Sequence, residues 1–159
     1  MNIRHGNTYD AVPLSKLGAK TFYDTFAKDN TAENIKLHLE NSFSAEIQFN
    51  ELSQLDIIFL VAENDDHSLA GYAQLMIDGR EESIKGIKTL EIRRIYISQE
   101  HIGTGAGKEL MTACLAEARQ RGCDSVWLGV WEKNPRAINF YKKYNAVFDS
   151  EWLNCVVHV

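Results

Sequence analysis

The hydrophobic pattern of this chain changes period several times, and each change marks an element. Residues 12–26 read as a first helix. Thr31-Ala32-Glu33-Asn34 opens a second, with Thr31 as N-cap and Ile35, Leu37, Leu39 and Phe43 at its apolar positions. Residues 57–62 form a continuous apolar run short enough to be a buried strand. Asn64-Asp65-Asp66-His67 is a turn, and residues 69–77 are the strand that returns from it, which predicts a hairpin.

Residues 90–97 carry a phase slip. Leu90 and Ile92 alternate on even positions, Ile95 and Ile97 on odd ones, with Arg93-Arg94 between. A one-residue slip within a strand is the mark of a β-bulge, a feature that gathers beside active sites; a strand that ends near Arg93 is the other reading. A glycine-rich loop follows at 103–107, then a helix with Leu110, Met111, Cys114, Leu115 and Ala118 on one stripe, closed by Gly122. Residues 125–131 are apolar on both faces, as in a central strand. Asn134 caps a helix that Pro135 begins and that carries Ala137, Ile138, Phe140, Tyr141 and Tyr144. Pro13, the other proline, also suits a first helical turn, and 147–159 are strand-like to the last residue. Strand, loop, helix and strand in the middle imply one parallel βαβ crossover, whereas the earlier hairpin implies antiparallel pairing. The expected fold is α/β: a mixed, mostly antiparallel sheet with helices on both faces, spanning 1–159 as a single domain.

Composition narrows the class. The chain has 159 residues, 45% hydrophobic and 25% charged, which is globular rather than disordered. No apolar run approaches the roughly 18 residues that span a bilayer, and the first residues lack a signal-peptide pattern. The expectation is a cytoplasmic protein without a membrane partner. The net charge of −5 gives no basic footprint for nucleic acid; it suits a cationic substrate, and solubility alone also explains it. Cys114, Cys123 and Cys155 form no CxxC pair, and the five histidines show no metal spacing, so no metal is expected.

Gly103-Thr104-Gly105-Ala106-Gly107-Lys108 lies between a strand and a helix, where free amides and the helix dipole favour an anion such as a pyrophosphate. Ile102 and Glu109 break the P-loop pattern, and Lys108 breaks the dinucleotide pattern. A loop of the form Q/R-x-x-G-x-G/A, which binds the pyrophosphate of coenzyme A, matches at Gly105 and Gly107. A ligand-free glycine turn is the remaining reading.

The segment Leu90-Glu91-Ile92-Arg93-Arg94-Ile95-Tyr96-Ile97 with the loop and helix after it resembles the acetyl-CoA segment of the GCN5-related N-acetyltransferase (GNAT) superfamily. Residues 127–143, from Trp127-Leu128-Gly129 through Asn134-Pro135 to Tyr141-Lys142-Lys143, resemble that family's following strand and helix. Thr21-Phe22-Tyr23-Asp24-Thr25-Phe26-Ala27 and Asn30-Thr31-Ala32-Glu33-Asn34 look like the branch of bacterial spermidine/spermine acetyltransferases. The resemblance implies a GNAT fold and transfer of an acetyl group from the cosubstrate acetyl-CoA to a small-molecule primary amine, with a polyamine as leading acceptor. It implies cosubstrate contacts from the backbone of Ile95, Tyr96 and Ile97, from the loop at Ile102, Gly103, Thr104, Gly105, Ala106, Gly107 and Lys108, and from Asn134 and Tyr141. It puts Tyr141 at the position of the acid that protonates the departing thiolate. Glu91 is the candidate base, with pairing to Arg93 or Arg94 as its competing role and Tyr96 as a second candidate.

Three departures from the family pattern carry expectations. Ile102 replaces the usual Gln or Arg. Asn145-Ala146 replaces Gly-Phe, and Asn tolerates a left-handed turn. The chain stops at Val159, where relatives commonly run on into one more strand; this predicts an incomplete acceptor wall and a strand edge open to a second copy, as in a homodimer. A non-catalytic acyl-CoA-binding module is the alternative, and a magnesium-dependent nucleotide enzyme is a third reading that the failed P-loop disfavours.

Overall fold

The computed structural model describes residues 1–77, 88–148 and 154–159. Five α-helices and seven strands are seen among them: β1 (Asn2–His5), α1 (Ala11–Phe26), α2 (Ala32–Phe43), α3 (Ala45–Leu52), β2 (Ile57–Glu63), β3 (Leu69–Ile77), β4 (Thr89–Ile97), α4 (Ala106–Gln120), β5 (Ser125–Gly129), α5 (Pro135–Lys142), β6 (Val147–Phe148) and β7 (Asn154–His158). The strands form one sheet in the order β1-β2-β3-β4-β5-β7-β6. The β4–β5 pair is parallel and all other pairs are antiparallel.

Both faces of the sheet are covered, which is why β2 reads as an unbroken apolar run. Its Ile57, Phe59 and Val61 pack with Leu14 of α1, while Ile58, Leu60 and Ala62 face Leu110, Met111 and Cys114 of α4. The stripe expected on α4 is buried throughout. Leu110 and Met111, wholly removed from water, each contribute roughly 1.5–3 kcal/mol. Tyr141 of α5 joins the core on the α4 side. The expected caps form: Thr31 accepts from the Asn34 amide and Asn134 from that of Ala137. Gly122 closes α4 at φ +68°, and Asn145 takes the left-handed turn after α5 at φ +55°.

The β4 bulge is present. Gln74 pairs with Arg94 and Leu75 with Ile92, so Arg93 is the extra residue. This slip decides which side chains share a face. Glu91, Arg94 and Tyr96 lie opposite Met76, Gln74 and Tyr72 on the α1 side, and Ile95 and Ile97 turn to the α4 side.

The pattern missed or misjudged five elements. β1 is too short to show alternation; pairing with β2 and the ion pairs of Arg4 with Asp10 and Glu63 hold it. α3 follows α2 directly, because Ser44 in extended conformation ends one helix and caps the next. β5 stops at Gly129 rather than at 131. The stretch 147–159, expected as one strand, holds two antiparallel strands, with β7 between β5 and β6. The expected lack of a final strand is therefore corrected: β7 fills the place beside β5, and β6 forms the sheet edge.

Candidate active site

The site begins where β4 and β5 part. Their parallel ladder consists of Thr89 with Ser125, Leu90 with Val126 and Glu91 with Trp127. β4 continues to Ile97 on β3 alone, so a gap opens beyond Glu91. In an antiparallel ladder alternate residues turn both backbone groups to the same neighbour. Ser98 donates its N–H to Ala70. By that phase Tyr96 also turns to β3, and Ile95 and Ile97 turn their N–H and C=O into the gap. Of the three backbones expected to serve the cosubstrate, these two have groups free of the β3 ladder.

The glycine loop lies at the end of this gap. Gly103 and Gly105 have φ of +84° and +99°, a region other L-residues enter at a cost, and an added Cβ at either would meet open space. The requirement for glycine there is conformational. Thr104 commits its amide and its hydroxyl to the His101 carbonyl. The first α4 hydrogen bond runs from the Glu109 amide to Gly105. The amides of Ala106, Gly107 and Lys108 thus head the helix without partners within it, which is an anion cradle. Lys108 is exposed on the first turn, and the exposed Ile102 side chain offers no hydrogen bond. Gly107 sits close to Phe140 of α5 and Ile97 of β4, so loop, strand and helix converge.

Tyr141 is 5% exposed. Burial, then the neighbouring Cys155, Cys114 and Tyr96, push its hydroxyl far above the ordinary tyrosine range. It stays protonated at neutral pH, so it can give a proton but cannot serve as a base. Burial raises Tyr96 as well, so its hydroxyl too is protonated at neutral pH and not available as a base. The side-chain oxygen of Asn134 is occupied by its cap, which leaves its amide nitrogen for any contact with a ligand.

On the opposite face, Glu91 is half-buried at the mouth of the gap. Arg94 has an ion pair with Glu51 of α3, at 3.8 Å. An aromatic wall covers this face: Phe22 and Phe26 of α1, His38 and Phe43 of α2, Tyr96, and Trp131 after β5 are linked by ring contacts of 4.2–6.2 Å. Burial and then the Arg94 charge pull the His38 imidazole below its ordinary value, so it is neutral near pH 7. The sequence reading missed this wall and Glu51. The i, i+4 pair Phe22–Phe26 was the visible signal; nothing local in the sequence ties Glu51 to Arg94.

Two surface recesses of about 580 and 400 Å3 lie along α1 and α2 and beside the start of α1; neither is lined by Glu91, Tyr96 or Tyr141. The convergence of free amides and polar side chains at the gap makes it the better candidate. Among the described residues no cluster of His, Cys, Asp or Glu could hold a metal ion, and no helix is long and apolar enough to cross a membrane.

Known proteins resemble this chain in sequence or in fold. An uncharacterized N-acetyltransferase of Lactobacillus delbrueckii subsp. lactis is 33% identical over 125 residues, 79% of this chain and 72% of that protein. One from Mycobacterium tuberculosis is 32% identical over 134 residues, 84% of this chain and 81% of the other. The crystal structure of a Thermoplasma acidophilum PaiA N-acetyltransferase in complex with coenzyme A has the same fold, with a TM-score of 0.85, 24% identity and coverage of 99% and 98% of the two chains. The acetyltransferase (GNAT) family profile matches residues 20–146. With its parted parallel strands and its amide cradle, the chain belongs to the GNAT family and is an acetyl-CoA-dependent N-acetyltransferase.

Proposed function

We propose that this protein, as a single catalytic domain, transfers the acetyl group of acetyl-CoA to a primary amine by direct attack in a ternary complex. The observation that carries the reading is the parting of β4 and β5 beside the α4 amides, with an acid on one side and a carboxylate on the other. The amides of Ala106, Gly107 and Lys108 hold the pyrophosphate, with Lys108 adding charge. Ile95 and Ile97 offer backbone groups to the pantetheine arm in the manner of an added strand, and Asn134 orients it through its amide nitrogen. The cosubstrate supplies an activated thioester. The amine enters from the face of Glu91 and the aromatic wall. Glu91 accepts the proton the amine must lose, directly or through water; the N–C bond forms, the C–S bond breaks, and Tyr141 donates its proton to the departing sulfur.

The polyamine acceptor implied by the resemblance at residues 21–34 belongs to this reading as one acceptor class. The test is thiol release from acetyl-CoA against polyamines, aminoglycosides, amino acids and short peptides. Release with one class supports the proposal and names the acceptor. No release with any amine, despite acetyl-CoA binding, overturns it.

A further inference from the structure

The α1-side face of β3 and β4 holds a buried polar cluster that acid, base and cradle do not use. Tyr72 and Gln74 are wholly buried, and Gln74 Nε2 donates to Glu51 Oε2 at 2.7 Å. The Arg94 side chain is 15% exposed and lies over the Phe43 ring, with its Cζ 4.6 Å from the ring centroid. Arg94 Nη1, the Tyr72 hydroxyl and Gln74 Oε1 lack a well-formed hydrogen bond among the described residues, and the Tyr72 hydroxyl and the Arg94 guanidinium lie close enough to interact only weakly with each other. Buried polar atoms without partners cost free energy, and a ligand or water that reaches them recovers it. The Glu51 carboxylate, at 3.8 Å, balances the Arg94 charge without taking up the Nη1 hydrogen bond.

The bulge matters here. Without the extra Arg93, the strand's alternation would turn Arg94 to the α4 side. With it, Arg94 sits one same-face step from Glu91, roughly 7 Å along the strand. Side chains that converge from that spacing can hold an amine and an oxygen separated by two or three bonds. A polyamine would bring a second cation toward a guanidinium.

We propose that Arg94, supported by Tyr72, selects an acceptor with a carbonyl or carboxylate oxygen on the carbon next to its reacting amine. This rests on the amine-acceptor reading above. Arg94 is then a binding group for the acceptor.

Matched sets test it: phenylalaninamide, phenylalanine and phenethylamine; lysinamide, lysine and cadaverine; and spermidine. Rates are compared per unprotonated amine, which removes the differences in amine basicity. The oxygen-bearing members should exceed their oxygen-free partners in kcat/KM by roughly tenfold or more. Arg94→Met should bring each set to within about threefold by raising KM for the acceptor while KM for acetyl-CoA stays unchanged. Tyr72→Phe should narrow the gap in the same direction. If Arg94→Met does not fold, the wild-type comparison still decides. Equal or faster turnover of the oxygen-free amines, or a gap that persists in Arg94→Met, overturns the inference. Release with spermidine and the oxygen-free amines alone sinks it but leaves the amine-acceptor reading standing; no release with any amine overturns both.

Discussion

Tyr141→Phe separates chemistry from packing. The ring is 5% exposed, lies edge-on to Phe140 at a centroid distance of 5.2 Å, and belongs to the α4-side core. Phenylalanine keeps that ring and removes only the hydroxyl, so stability should change by no more than about 1 kcal/mol. For a domain of this size that is a Tm shift of roughly 2–4 °C. A positioned general acid is worth about 10²–10⁴ in rate, or roughly 2.7–5.4 kcal/mol of barrier at 1.36 kcal/mol per decade. Turnover should therefore fall at least a hundredfold while the protein remains folded and KM for acetyl-CoA holds. The deficit has a second signature. An acetyl thioester of a more acidic thiol needs less help in leaving, so it should restore part of the variant's rate. The assay is thiol release at saturating amine with both thioesters, beside a thermal melt. A kcat within threefold of wild type, or no gain from the better leaving group, would refute the acid role.

Other substitutions probe the remaining parts. Glu91→Gln should lower kcat/KM for the acceptor by roughly 10²-fold near pH 7. That deficit should shrink as pH rises toward the amine's own pKa, where less base is needed; a pH-rate profile with a constant deficit would exclude the role. Gly105→Ala introduces left-handed strain of roughly 1–2 kcal/mol at φ +99°. It should raise KM for acetyl-CoA about tenfold or more with little effect on KM for the amine, as initial rates with each substrate varied would show. Burial raises Tyr72 and Tyr141 far above their ordinary value of 10.0. Below pH 10 both states hold these protons; above it the unfolded chain loses them first, so stability falls as pH rises. Each group adds a slope of up to about 1.4 kcal/mol per pH unit. Urea titrations between pH 9 and 11 should show a shallower decline for Tyr141→Phe than for wild type.

Local physics governed what the sequence made legible. The α4 stripe, the caps at Thr31 and Asn134, the hairpin of β2 and β3, and the turn glycines each depend on residues a few positions apart. The bulge also showed, because a period of two leaves a slip of one visible in the chain. β1 and β6, four and two residues long, gave no period to read, and β7 gave none apart from β6. Their existence rests on neighbours far away in the sequence.

The sequence by itself showed a glycine-rich turn ahead of an amphipathic helix, because both are local signals; the positive φ of Gly103 and Gly105 was seen only in the structure. The sequence also carried the phase slip of β4, which alternation alone left as a bulge or a strand end and the β3 register resolved as a bulge. Only the tertiary structure decided where β4 and β5 part, since the length of a parallel ladder depends on the paths of both strands across the sheet. It alone brought Glu51, Phe43 and His38 to Arg94, across separations of 43–56 residues that no local pattern encodes. The slip at Arg93 was legible in the chain; that it turns a guanidinium toward the face of Glu91 became legible only once β3 lay beside it.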